Sequence, residues 1–514
     1  MSLEQITHNI TEVYHTYDNP ILRQKILEFI LRELPERLES HIQRMKRHEE
    51  LEKGADVYIN EFLINSGMRY MYIPKSNVFI RYDGEEFKIV NESEILHKIL
   101  TGISSNKRII PWKYKIKNMI MKIIRDVNIF DIIPESHTIQ YVLNHITPVL
   151  LATKEEAKYF LTVLGDNILK KGAYTIHLLD VRCKDFITAL EDNIFHYFKH
   201  QYHIGTTFKY SWWDHNYTNC RIINFNKSVE SQNYWSSFVK YHILDIISVG
   251  VYYSKRYTSS DMYVSSIPSS DVVPKHIFYL RSKTEKSIVD DFVKDSIIKV
   301  DTKDVSITWK EMYYLWKTFL YRNNLPSVMF MKALKNNLKS ILELSEEREE
   351  YIGVTSKYLT FIKNLQEFWN MYIVTDDGEE FEVSDICDLY NSWLKNDKKD
   401  NCSHMNEKTL TTIIEHFYDV SIVDNKYIRD IKCLLWDKNE EIQVILEDLR
   451  ITYKFSPESY EKSIDSVYTD YCARSTNKFN YKVVSKKYFE KYISQAIPDR
   501  YIIRKRILND YWST

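Results

Sequence analysis

The densest chemistry in the chain is cationic and lies near its end. Between Arg474 and Arg506 there are ten basic residues and two acidic ones, Glu490 and Asp499, a local balance of +8. Lys486, Lys487 and Lys491 share one predicted helix, and Arg500, Arg504, Lys505 and Arg506 lie in an alternating stretch behind it. Cations grouped in this way on two adjoining elements are what phosphate contact requires. A second run, Lys107 to Arg125 (KRIIPWKYKIKNMIMKIIR), has seven basic residues, no acidic ones, and Trp112 and Tyr114 between the cations. Lys113, Lys115 and Lys117 beside those rings fit a single-stranded nucleic-acid surface, while Ile116, Ile120, Ile123 and Ile124 supply a core face for the same helix.

Three other clusters have weaker chemical patterns. His196 and His200 are four apart on a predicted helix, which would aim both rings at one metal, with His203, His215 and Cys220 as further ligands. The cluster has no HExxH glutamate and no paired-cysteine knuckle, so satisfied polar or core histidines are the simpler reading. Ser254, Arg256, Ser259, Ser260 and Asp261 (SKRYTSSD) have no identifiable base or oxyanion loop, and a helix-ending turn explains them. The carboxylate pairs Asp290-Asp291 and Asp376-Asp377 sit in polar, surface-like contexts.

Composition narrows the remaining classes. Only 10 glycines occur in 514 residues, against a usual share of roughly 7%. Neither GxxxxGK[ST] nor GxGxxG is present, which argues against P-loop hydrolysis and Rossmann-type dinucleotide binding. A net charge of -1 makes any nucleic-acid surface local rather than global. The six cysteines are widely spaced with no CxxC, as expected of reduced thiols. The polar opening MSLEQITHNITEVYH predicts no signal peptide, and the longest apolar run, Ile243 to Tyr253, spans 11 residues where a membrane span needs roughly 20.

The elements that must position these groups are mainly helical, an α+β chain with small antiparallel sheets. Residues 1–53 read as helix closed by Gly54. Residues 54–172 read as a small sheet (RYMYI, VFIRY, EEFKIV, with Asp83-Gly84 as a hairpin turn) and helices. Asn91 with Glu94 opens a helix through Leu100, and Thr153 with Glu156 opens one that Gly172 caps. Residues 173–345 read as mixed α/β passing to helix, with Thr308 and Glu311 as a further capping box and Ile307 and Met312 as its staple. The acidic run SEEREE (Ser345 to Glu350) reads as a solvated linker.

Two similar statements then follow, at 351–450 and 456–514. Ser384 to Leu394 and Ser463 to Cys472 both show the i, i+3, i+4, i+7, i+8 apolar spacing of a helix with one buried face. A second helix opens at Asn406 in one and at Ser485 in the other. Strand-like tails end at Trp436 and Trp512. Helix, loop, helix, hairpin is the order of a winged helix-turn-helix, so the end of the chain reads as tandem winged-helix-like domains. Between 384 and 438 the first repeat has eight basic and ten acidic residues, a net of -2. It reads as a protein-docking module, and the basic second repeat as the phosphate contact.

Through IPESHTIQYVLNHITPVLLATKEEAKYFLTVLGDNILKK, VYYSKRYTSSD, KYIRDIKCLLWDK and VSKKYFEKYI, the chain resembles a conserved, largely uncharacterised protein of nucleocytoplasmic large DNA viruses, the mimivirus-like giant viruses. The C-terminal repeat also resembles the winged helix that closes viral and phage primase-helicases, at Ser463, Tyr468, Tyr471, Ser485, Tyr488 and Phe489. The helicase P-loop and primase carboxylates of that family are missing, so only the docking module carries over. The resemblance implies a viral protein of the host cytoplasm, acting at the viral factory. The expected function is a non-enzymatic factor that binds DNA or RNA without sequence preference, needs no cofactor or membrane, and docks viral replication, transcription or translation proteins. The alternatives are a helical scaffold, such as a bridging subunit of a virus-encoded translation-initiation complex, and a metal-dependent enzyme using the 196–220 cluster.

Overall fold

Ser2 opens α1 (Leu3–Thr16) with a capping box, its hydroxyl accepting from Gln5 N while the Gln5 side chain accepts from Ser2 N. The computed structural model describes residues 2–513 apart from 66, 172–174, 203, 214, 269–271, 303, 397–403, 455–460 and 479–482. Asn19 and Pro20 start α2 (Pro20–Glu28), and neither α1 nor α2 buries a residue. The helix α3 (Leu34–Asn60) does not close at Gly54 as expected but runs through it. Gly54 is a packing position, where a Cβ would lie 3.0 Å from the Ile109 side chain.

The strands β1 (Arg69–Ile73), β2 (Val78–Tyr82) and β3 (Phe87–Val90) form the expected antiparallel sheet. Its Asp83-Gly84 turn has Gly84 at φ +94 and Asp83 Oδ1 accepting from Glu85 N and Glu86 N. Next, α4 (Glu92–Ser105) continues five residues past the expected end at Leu100. Asn91 caps it without the expected box, since its amide donates to Glu94 Oε1 at 3.1 Å and makes no side-chain bond to the helix backbone. On α5 (Lys113–Asp126) Ile116, Ile120, Met121 and Ile124 are buried, so Met121 replaces Ile123 in the expected stripe. These side chains form a small core with Ala55, Ile59, Tyr70 and Ile99.

A larger core spans Met71 to Ile277, so residues on both sides of the expected boundary at 172/173 belong to one body. It is built around α6 (Ser136–Ile146) and α7 (Lys154–Ile168), the latter opened by the Thr153–Glu156 capping box. Gly172, the expected C-cap, lies outside the described residues. The chain continues through β4 (Ile176–Leu178), α8 (Lys184–Phe198), α9 (Ile204–Thr207), β5 (Phe208–Lys209) and β6 (Cys220–Ile222). These strands form a parallel sheet in the order β5-β4-β6, a departure from the antiparallel expectation. Then α10 (Ser236–Tyr257), α11 (Ser260–Ser266) and α12 (Val272–Ile277) follow, with α10 packed along α7. Gly165 and Gly250 make that approach possible, because a Cβ on Gly165 would lie 2.1 Å from Gly250 O.

Two compact units divide the chain, Met1–Ile288 with Leu320–Asn337, and Val289–Phe319 with Leu338–Thr514. Between Glu285 and Thr355 run α13 (Glu285–Ser296), β7 (Ile298–Lys299), β8 (Ser306–Thr308), α14 (Trp309–Arg322), α15 (Met331–Lys339), β9 (Leu344–Ser345), β10 (Glu350–Ile352) and β11 (Val354–Thr355). The Thr308–Glu311 box opens α14, and Ile307 and Met312 beside it are fully buried. The SEEREE run is not a linker. It is the turn of the β9–β10 hairpin, which pairs with β8 and buries Tyr351 opposite Ile307. Its charges are solvated because they occupy the turn, while its ends are held by strand pairing.

The C-terminal repeats share one element order. The first consists of α16 (Thr360–Tyr372), β12 (Ile373–Glu382), α17 (Val383–Asn396), α18 (Glu407–Phe417), β13 (Ile422–Val423) and β14 (Tyr427–Cys433). The second consists of α19 (Lys438–Lys454), β15 (Lys462–Ser463), α20 (Ile464–Lys478), α21 (Lys486–Ala496), β16 (Ile502–Ile503) and β17 (Arg506–Ile507). Both sheets are antiparallel with the first strand beside the third and the third beside the second. The tail expected to be strand as far as Trp512 instead ends in α22 (Asn509–Ser513). The protein is thus mainly helical with small sheets, and among the described residues no helix is long and apolar enough to cross a membrane.

Candidate nucleic-acid interface

The first helix of the second repeat, α19, follows directly on the first repeat and carries the groups that join the two. Lys438 is 4% exposed; its ammonium donates to Asp385 Oδ2 of α17 at 2.9 Å and lies 3.9 Å from the Phe381 ring centroid. One turn on, Glu441 accepts three hydrogen bonds at 2.6 Å, from Trp436 Nε1 of the first repeat and from the hydroxyls of Tyr471 and Ser475 on α20. Glu379 of β12 accepts from Asn439 Nδ2 at 2.6 Å and from the Tyr488 hydroxyl of α21. Burial and then the Glu379 carboxylate push the Tyr488 hydroxyl far up, so it remains a donor. A buried acceptor or cation is tolerated only with its partners in place, which makes this hub specific to one arrangement of the repeats.

That arrangement decides which cations face outward. The register of β12 against β14 breaks between Thr375 and Glu380, and the extra residues form an acidic bulge with Gly378 at φ +89. The α21 helix docks on this bulge. Lys491 donates to Gly378 O at 2.7 Å, and Lys487 lies 3.9 Å from Glu380 and 4.1 Å from the Tyr427 ring centroid. Lys486 pairs with Asp465 at 2.6 Å on its own repeat. The helix lysines expected to meet phosphate therefore have protein partners already. The sequence signal is the Asp-Asp-Gly interruption of an alternating strand at Asp376, Asp377 and Gly378.

The hairpin presents its cations differently. Arg504 and Lys505 form the β16–β17 turn with φ of +49 and +62, the paired left-handed conformation of a tight two-residue hairpin. Arg500, Arg504, Lys505 and Arg506 are all exposed. Lys505, with its side chain 80% exposed, lies 3.4 Å from Glu490, and Arg506 lies 3.9 Å from Glu461. Arg500 stacks over the neighbouring Tyr501 ring at 4.7 Å. Exposed pairs of this kind contribute about 0–1 kcal/mol each and are readily exchanged.

On α5, Lys113 donates to Ser104 Oγ, Lys115 sits 3.6 Å over Trp112, and Lys117 is half-buried. His48 meets Trp112 edge to face, so Tyr114, 74% exposed, is the open ring of this patch.

The His/Cys cluster does not assemble. His196 lies in the last turn of α8, Lys199 ends that helix at φ +46, and His200 falls beyond it, which removes the four-residue geometry. Cys220 is buried with its thiol on Asn216 O, and His203 lies outside the described residues. Among the described residues no group of three His, Cys, Asp or Glu side chains could hold a metal ion. SKRYTSSD is the α10–α11 turn, where the Ser254 hydroxyl and Ser260 N donate to Asp166 and Asp261 pairs with Arg221. Comparison with family models, curated proteins and solved structures finds no match to this chain.

Proposed function

We propose that the protein is a non-enzymatic nucleic-acid-binding and partner-docking factor of viral replication or expression, whose C-terminal repeats are tandem winged helices fixed as one platform. The observation that carries this reading is the exposed turn of Arg504, Lys505 and Arg506 beside Arg500, at the place a wing would meet flanking phosphates. Of the two cation groups expected from the sequence, helix and hairpin, the hairpin is the one this reading relies on. A wing that touches only backbone binds DNA or RNA without sequence preference.

Fluorescence anisotropy with short duplexes and single strands tests this. Affinity should fall steeply between about 50 and 200 mM salt, and Arg504→Glu with Arg506→Glu should weaken binding equally across sequences while reducing the salt slope by about 2. Absence of binding at low salt, or binding indifferent to this double reversal, would overturn the reading. One observation favours a second reading, a scaffold for protein partners: α1 and α2 bury nothing and leave Leu3, Val13, Ile21 and Leu27 exposed. A nuclease-treated pull-down yielding a stoichiometric protein, from a chain that binds no nucleic acid, would select the scaffold.

A further inference from the structure

The parallel sheet of the first unit has a feature that nucleic-acid contact does not use. In the order β5-β4-β6, the chain leaves β4 for β5 on one side, then forms β6 on the other. Successive strands on opposite sides of a central strand open a crevice at their carboxyl ends, and ligands of open α/β sheets bind there. A cavity of about 480 Å³ occupies this place, lined by the segments that follow β4 and β6 and by residues 321–326. That volume lies within the roughly 300–1,000 Å³ typical of small-molecule sites.

The lining is basic and partly preorganised. It holds three cations, Arg182, Lys227 and Arg322, and one carboxylate, Asp180. Asp180 fixes Arg182 by accepting from its Nε at 2.8 Å and its Nη2 at 3.0 Å, with Glu230 3.5 Å from the same Nε. The Asn226 amide is held by Pro148 O and Val149 O, which anchors the loop after β6. Lys227 donates to the Tyr321 hydroxyl and lies 4.7 Å from that ring centroid. Phe225 is buried in the core and Lys227 already covers Tyr321, so the site offers cations and amides rather than a stacking platform.

We propose that this crevice binds a phosphomonoester on a small polar body, the phosphate taken by Lys227 and Arg322. Planar guanidinium forks and an ammonium suit a dianionic phosphate. The site is built only from residues of the first unit and stands independently of the hairpin.

Isothermal titration of the full chain with AMP, glucose 6-phosphate, adenosine and inorganic phosphate tests it. At least one of the two esters should bind saturably at one site, and adenosine should not. Lys227→Glu and Arg322→Glu, both at exposed positions, should each weaken the ester about tenfold or more. Arg504→Glu with Arg506→Glu should leave that binding unchanged, which separates this site from the nucleic-acid face. Failure of both esters, adenosine binding as well as AMP, inorganic phosphate binding alone, or affinity that survives both reversals would each overturn the proposal.

Discussion

Replacing Glu441 by alanine should uncouple the two C-terminal repeats. The carboxylate is 8% exposed and accepts from Trp436 Nε1, Tyr471 OH and Ser475 Oγ, each at 2.6 Å. Its removal leaves three buried donors, and each orphaned group costs about 1–3 kcal/mol. These costs are not additive within one network, so a total of about 3–6 kcal/mol is expected. Glu441→Gln keeps the volume and one oxygen but turns an NH2 toward a donor, which should cost about 1–3 kcal/mol. Tyr471→Phe leaves the carboxylate two partners but also orphans the buried Val484 N, from which the Tyr471 hydroxyl accepts at 3.3 Å, so about 1–3 kcal/mol is expected. Native-state amide exchange of the full chain reads this locally. In Glu441→Ala, α19 and α20 should exchange about a hundredfold faster or more, at about 1.4 kcal/mol per tenfold, with α7 of the first unit unchanged. Exchange within about threefold of the parent, or no faster than in Tyr471→Phe, would mean water replaces the carboxylate and the hub does not hold the repeats.

Two further predictions concern the first unit. A Cβ on Gly165 would lie 2.1 Å from Gly250 O and 2.8 Å from Ser254 Cβ, while one on Gly250 meets Leu161 O at 2.9 Å. Gly165→Ala should therefore force α7 from α10 and destabilise by about 1–3 kcal/mol, outweighing the helix preference for alanine of about 1 kcal/mol, with Gly250→Ala milder. Calorimetry showing Gly165→Ala as stable as the parent would refute this close approach. His177 is 4% exposed, both its ring nitrogens lack hydrogen-bond partners among the described residues, and burial lowers its pKa to about 3. The folded ring stays neutral where the unfolded ring takes a proton, so its contribution is complete above about pH 6.5 and is lost as pH falls toward 3. Between pH 6.5 and 5 the loss should be about 2 kcal/mol. His276, also lowered by burial, adds to the loss, while Asp166 and Asp245, raised by burial, act with the opposite sign. Urea unfolding of the parent against His177→Gln isolates the ring, and equal pH slopes in the two would refute the assignment.

What could be read from the sequence was local. The capping residues at Thr153, Thr308 and Asn406 act over three positions and form as expected. The apolar stripe Ile386, Tyr390, Trp393 and Leu394 is buried because a helix period fixes which residues share a face. What escaped depends on distant partners. Gly54 packs on Ile109, from another part of the chain, and so does not end its helix. The end of α8 before His200 comes from Lys199, a lysine in a conformation usually taken by glycine. At the candidate interface the cations were legible and their partners were not. Glu380, Gly378 and Asp465 lie between about 20 and 115 positions from the lysines they meet, beyond any local periodicity.

Net charge counted repeat by repeat therefore leaves out the contacts that the repeats make with each other. The +8 between Arg474 and Arg506 and the -2 between 384 and 438 meet at α21, where the acidic bulge of β12 faces the helix lysines. Yet the energies of these contacts differ from those of the hub. Lys487, with its side chain 65% exposed and 3.9 Å from Glu380, gains about 0–1 kcal/mol from its pair, whereas breaking a buried charge pair such as Lys438–Asp385 costs about 3–5 kcal/mol. The surface pairs orient α21 without fixing it, and a phosphate can compete for Lys487 at small cost. The hub cannot yield in that way without separating the repeats. Binding should thus begin at the hairpin, whose turn residues Arg504 and Lys505 are exposed, and recruit the helix lysines only where the nucleic acid also reaches the bulge.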